Sequence, residues 1–151
     1  MGGSTDVDAA MRWMIERSGG GDFVIIRASG GAGYNDYLYQ MGGLNSVETL
    51  LLNTQEAANS ELVYETLKNA EALFIAGGDQ SVYLALWEGT PVEKAIQYLI
   101  LEKQIPIGGT SAGCAIMGEY VYTGEQGSIV GDEALQNPFD SRMTCLLYTS
   151  D

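Results

Sequence analysis

IGGTSAGCAIM, residues 107–117, sets glycines on both sides of a small polar core and runs straight into apolar residues. Within it, Gly109-Thr110-Ser111-Ala112-Gly113 fits GxSxG, the pattern of a serine carried on a sharp turn from a strand into a helix. Small neighbours matter because such a turn holds strained backbone angles and brings chain segments close together. Glycine-rich turns also connect strands to helices without doing any chemistry. The elements on either side therefore decide what Ser111 is.

Working outward, the sequence alternates helix and strand signals. Residues 105–109, IPIGG, read as a strand that delivers the chain to Ser111. Before it, TPVEKAIQYLILEK (90–103) carries Val92, Ala95, Ile96, Leu99 and Ile100 on one helical face, with Thr90 as cap, Pro91 at the first helical position and Glu93 completing a capping box. A short helix is expected through Leu84 and Trp87. ALFIA (72–76) is a strand that stops at Gly77-Gly78-Asp79-Gln80.

Further upstream, residues 54–70 predict a polar-faced helix, SVETLLLN (46–53) a strand, and a glycine loop leads into a short helix bearing Tyr34, Tyr37, Leu38 and Met41. FVIIRAS (23–29) is a β-branched run suited to a strand covered on both faces. The first helix has Val7, Ala10, Met11, Met14 and Ile15 in register, a Thr5/Asp8 capping box, and Gly19 to Gly21 at its end. Strands alternating with helices at this spacing predict an α/β fold: a mostly parallel sheet with helices on both faces. Its ligand site belongs beyond the carboxyl ends of the strands. The glycine loops after 28, 76 and 108 all fall on that rim.

Composition bounds the function. The chain has 151 residues and an apolar fraction of 46%, enough for one core. With 20 acidic against 7 basic residues the formal net charge is −13, a field that repels phosphate backbones and argues against a nucleic-acid partner. No apolar run is long enough to span a membrane. Cys114 and Cys145 form no CxxC motif, and Cys114 reads as a small buried hydrophobe. No lysine stands near 108–118, so a Walker A loop is excluded, and GGAGYND is a poor dinucleotide fingerprint.

A nucleophilic serine needs a base, and the sequence contains no histidine. Lys68, Lys94 and Lys103 fall on or at the end of helices, where a solvated role is expected. Asp79, Glu119 and Glu125 are the acids placed to orient a base or to meet a cationic substrate.

AEALFIAGGDQ (70–80) and IPIGGTSAGCAIMGE (105–119) together resemble the cyanophycinase branch of peptidase family S51, serine hydrolases related to dipeptidase E. Ser4 to Asp8, GGGDFVIIRASG (19–30) and NSVETLLLN (45–53) share the likeness, which extends over residues 2–144. The resemblance implies a three-layer α/β/α sandwich similar to class I glutamine amidotransferases, flavodoxin-like in type. It implies Ser111 as nucleophile, the N–H groups of Gly78 and Ala112 as oxyanion donors, and Gln80, with Asp79 and Thr110, at the substrate. The implied reaction is hydrolysis of aspartyl peptide bonds; cyanophycinases release β-aspartyl-arginine units from an arginine-bearing polyaspartate. No metal or organic cofactor is implied. The expected partner is a peptide or cyanophycin-like substrate, with a homodimer as candidate assembly.

Family members also carry a strand before the opening glycines, and a catalytic His with its acidic partner after the serine. The expectation is therefore an incomplete domain over 1–144, cut at both ends. CLLYTSD, 145–151, is expected to be a non-native tail. A catalytically inactive peptide-binding module of the same fold is the alternative.

Overall fold

The computed structural model describes residues 1–3, 5–118 and 120–144. The expected foreign tail at 145–151, the candidate acid Glu119, Ser4 and Cys145 lie outside the described residues.

Four parallel strands form the sheet: β1 (Asp22–Arg27), β2 (Ser46–Leu51), β3 (Ala72–Ile75) and β4 (Ile107–Gly109), in the order β2-β1-β3-β4. The register pairs Ile26 with Ile75 and Ile75 with Gly109, so the carboxyl ends of β1, β3 and β4 finish level with one another. β1 and β3 are buried along their apolar runs, as strands covered on both faces must be.

Helix α1 (Asp8–Arg17) and helix α2 (Gly33–Gln40) cover one face: Met11, Met14, Ile15 and Leu38 pack on Phe23, Ile25, Ala72 and Phe74. The opposite face, with Val24, Ile26, Leu73 and Ile75, is covered by α4 (Glu61–Asn69), α5 (Gln80–Trp87) and α6 (Pro91–Tyr98) through Leu67, Trp87 and Ile96. Three layers, α/β/α, result, as the alternation of signals predicts. A small antiparallel pair, β5 (Val121–Tyr122) and β6 (Met143–Thr144), follows the sheet. At the outer edge of β4, the Met1 amine donates to Gly109 O at 2.6 Å and Ser111 N–H donates to Met1 O at 3.1 Å.

Several local expectations are corrected. The helix expected over 54–70 is two helices, α3 (Gln55–Ala58) and α4. The break falls at Asn59-Ser60: Asn59 leaves helical angles at φ −99° and ψ 5°, Ser60 turns extended at ψ 127° as N-cap of α4, and Asn59 Nδ2 closes the end of α3 on Gln55 O at 2.8 Å. Thr5 does not cap α1; Val7 occupies the N-cap position with no side-chain bond. Thr90 sits at the N-cap of α6, but its hydroxyl donates back to Trp87 O at 2.6 Å, and Glu93 instead accepts from Gly89 N–H at 2.6 Å. Cys114 is exposed, because the four-residue helix α7 (Ala112–Ala115) turns Ala112 and Gly113 inward.

Candidate active site

Ser111 stands between β4 and α7 with φ +52° and ψ −124°. A side chain rarely adopts this left-handed region, which glycine enters freely. Its side chain is exposed at the carboxyl rim of the sheet. The two glycines of GxSxG have a definite steric task. A Cβ on Gly109 would lie 2.5 Å from Gly113 O, and a Cβ on Gly113 would collide with the carbonyls of Ile75 and Ala76. α7 can therefore press against the end of β3 only because both positions lack side chains. That close approach fixes the serine in its strained conformation.

The loop after β3 lies beside the turn: a Cβ on Gly77 would stand 3.3 Å from Ser111 Cβ. Among the described residues, neither Gly78 N–H nor Ala112 N–H has a hydrogen-bond partner. Gly78 follows the Gly77 that faces Ser111, and Ala112 follows Ser111 itself, so both N–H groups stand on the two segments that flank the exposed hydroxyl.

The sequence reading missed the residue that holds this loop. The phenol of Tyr83, fully buried on α5, lies 2.9 Å from Ala76 O and 3.0 Å from Gly77 O, and its ring stacks on Trp87 at 4.2 Å between centroids. A Cβ on Gly78 would come within 2.5 Å of that phenol oxygen. In the sequence Tyr83 is one more member of an apolar helix. The available signal was its position, four residues past the GGDQ aspartate, where the first turn of α5 folds beneath the loop.

The remaining expected site residues take different places. Asp79 is the N-cap of α5, accepting from Ser81 N–H at 2.9 Å and from Ser81 Oγ at 2.6 Å; these bonds hold its carboxyl below the usual range. Gln80 is half-buried, and its amide lies against Gly124. Thr110 is buried, its N–H donating to Ile75 O and its carbonyl accepting from Gly113 N–H. That burial makes it a residue of the turn rather than of an open surface. Glu125 is exposed, with its N–H bonded to Thr123 Oγ1.

Two of the three lysines are engaged elsewhere. Lys103 Nζ donates to Asn69 O and Ala70 O at 2.8 Å, at the amino end of β3 and so across the sheet from Ser111. Lys68 lies over the Tyr64 and Tyr98 rings.

The sequence profile of peptidase family S51 matches residues 32–140, more than half of the chain. Over 87 residues the chain is 31% identical to a cyanophycinase of Trichormus variabilis, covering 58% of this chain and 29% of that protein. Over 86 residues it is 33% identical to a cyanophycinase of Synechococcus elongatus, covering 57% of this chain and 26% of that protein. The matched stretch thus spans less than a third of the curated relatives. A crystal structure of a peptidase from an acI-B1 Actinobacterium superposes with a TM-score of 0.62 at 20% identity, over 80% of this chain and 56% of that one, a likeness of fold. With the profile matched across the Gly77-Gly78 loop and the serine turn, the chain belongs to peptidase family S51.

Proposed function

We propose that these residues carry the nucleophile and oxyanion donors of a serine peptidase that hydrolyses aspartyl or β-aspartyl-arginine peptide bonds. The observation that carries the reading is the backbone of Ser111: a non-glycine residue held at φ +52°, exposed, beside two unengaged amides. Strain of this kind costs about 1–3 kcal/mol and persists where surrounding packing enforces it, which marks functional positions. In the proposed reaction Ser111 Oγ adds to the scissile carbonyl carbon. The carbonyl oxygen takes the negative charge and sits on the Gly78 and Ala112 N–H groups. The serine proton passes to a base and from it to the departing amine, leaving an acyl-serine that water hydrolyses.

The 151 residues contain no histidine, so a histidine base has to come from outside them. The cationic units of an arginine-bearing polymer suit the net charge of −13, and the cyanophycinase relatives supply the substrate class. The missing histidine also favours a second reading, an inactive module that binds the same peptides without cleaving them.

The test compares the full-length reading frame containing these residues with its Ser111→Ala form, on arginine-bearing polyaspartate and on isoaspartyl dipeptides. Loss of turnover by a factor of about 10³ or more in the variant is expected. Equal rates in both forms would remove the serine mechanism. Tight binding with no turnover in either would favour the module.

A further inference from the structure

The strand order reverses direction between β1 and β3: the chain moves outward from β1 to β2, then returns to β3 and continues to β4. In open parallel sheets ligands bind at such a switch point, beyond the carboxyl ends of the two strands that flank it. A cavity of about 370 Å³ opens there, beside the end of β1, on the face covered by α1 and α2. Asp6, Asp8, Arg27, Gly33, Tyr34 and Tyr37 line it. None of these belongs to the elbow or to the oxyanion loop, yet the cavity is tied to both. Gly3, three residues before Asp6, is packed on Ser111, and the Tyr34 ring lies 5.2 Å from that of Phe74 on β3. Arg27 is two strands from β4, roughly 10 Å across the rim at the usual strand spacing.

The charges in the cavity are arranged in two separate sets. On one side the Tyr34 hydroxyl donates to the Asp6 carboxylate at 3.0 Å and the Tyr37 hydroxyl donates to Asp8 at 2.7 Å. Burial and the adjacent carboxylates push both phenols up to about 12, so they remain neutral donors. They orient the two carboxylates without neutralising either. On the other side the Arg27 guanidinium is held in its own loop by Ser29 O and by Gly31 O, the latter at 2.9 Å from Nη1. Among the described residues, no carboxylate pairs with it. An oriented cation and two oriented anions thus face one space, and the protein leaves them unpaired with each other.

We propose that this cavity is the subsite for a zwitterionic group of the substrate, whose carboxylate meets Arg27 and whose cation lies at Asp6 and Asp8. The assignment rests on the peptidase reading for its placement next to Ser111. A β-linked arginyl residue has the required chemistry: its α-amine is consumed in the amide bond, so a free carboxylate and a guanidinium remain. A purely cationic side chain would leave Arg27 repelling it, and a purely acidic one would face two carboxylates.

Three probes separate these terms in the full-length protein carrying Ser111→Ala, which holds them without turnover. They are β-aspartyl-arginine, β-aspartyl-agmatine, which lacks the arginyl carboxylate, and β-aspartyl-citrulline, which carries a neutral urea in place of the guanidinium. Calorimetry is expected to show β-aspartyl-arginine bound at least about tenfold more tightly than either analogue, the usual scale of one charge-assisted contact. Arg27→Gln should abolish the preference over the agmatine probe alone. The Asp6→Asn, Asp8→Asn pair should abolish the preference over the citrulline probe alone.

Equal binding of all three probes, or variants that weaken all three uniformly, would overturn the subsite. A measurement on protein with this cavity unaltered guards against variants that fold poorly: hydrogen exchange should slow at residues 5–8 and 33–37 when β-aspartyl-arginine binds. Protection confined to other segments would overturn the proposal. If the probe preferences hold while Ser111→Ala protein still cleaves polymer, the serine reading fails and the subsite stands. If Ser111→Ala is inactive but the preferences are absent, the reverse follows.

Discussion

Replacing Ser111 by Gly and by Ala should reverse the usual order of stability. At an ordinary position whose backbone both residues adopt, Gly is less stable than Ala by about 0.4–1 kcal/mol, because the glycine chain has more unfolded conformations to lose. At φ +52° and ψ −124° the alanine keeps a Cβ in a region that suits only glycine, so it retains the strain of the native serine. Releasing about 1–3 kcal/mol of strain against the entropy penalty leaves Ser111→Gly ahead of Ser111→Ala by about 1 kcal/mol. The hydroxyl does not disturb the comparison, since Ser111 Oγ makes no hydrogen bond among the described residues and both variants lack it. Urea unfolding with a shared slope reads the difference directly as a shift in midpoint. In a thermal scan it corresponds to about 2–4 °C for a domain of this size. A glycine variant equal to or less stable than the alanine variant would show that the turn stores no strain, and the inference from strain to function would fall with it.

Tyr83→Phe keeps the ring stacked on Trp87 but removes the only side-chain donor to Ala76 O and Gly77 O among the described residues. A loss of about 1–2 kcal/mol is expected, the cost of leaving a buried carbonyl unpaired, together with faster amide exchange at Gly77 and Gly78; unchanged exchange would show that the loop is held by other means. Glu93 is buried, and burial raises its pKa above the usual carboxyl range despite the bond from Gly89 N–H. The folded protein therefore holds this proton more tightly than the unfolded chain does, so its contribution is full below about pH 4.5 and declines as pH rises through the shifted value. Glu93→Gln does not titrate, and its stability relative to the native protein should rise between pH 4 and pH 7; a constant difference across that range would refute the assignment.

The serine turn and the sheet were legible in the sequence because both rest on backbone requirements that few residues satisfy. Gly109 and Gly113 are needed where α7 meets β3, and the runs at 23–27 and 72–75 are apolar enough to be buried on two faces. What was not legible depends on competition between side chains for the same backbone groups. Thr90 carries every signal of a cap, yet its hydroxyl finds Trp87 O, while Glu93 takes Gly89 N–H. Residues 54–70 read as one helix, but Ser60 turns extended and begins a second one as its N-cap, so the first ends after four residues. Tyr83 and Arg27 escaped notice for another reason. One looks like core and the other like a strand end, and only the folded chain brings the first under the Gly77-Gly78 loop and the second to the cavity wall.

The arrangement at the rim also explains what holds a turn under strain in place. Ser111 is fixed from both sides: Gly113 N–H and Ala115 N–H bond to Thr110 O and Ser111 O, and Thr110 N–H bonds to Ile75 O. These bonds belong to α7 and to the β3–β4 pair, elements whose side chains are part of the larger core. To relax φ at Ser111 the chain would have to withdraw α7 from β3 and expose Ala112 and Ile116, both buried there. Exposing a buried aliphatic side chain costs about 1.5–3 kcal/mol, as much as the strain would return. The conformation of the serine is thus set by the core packing next to it.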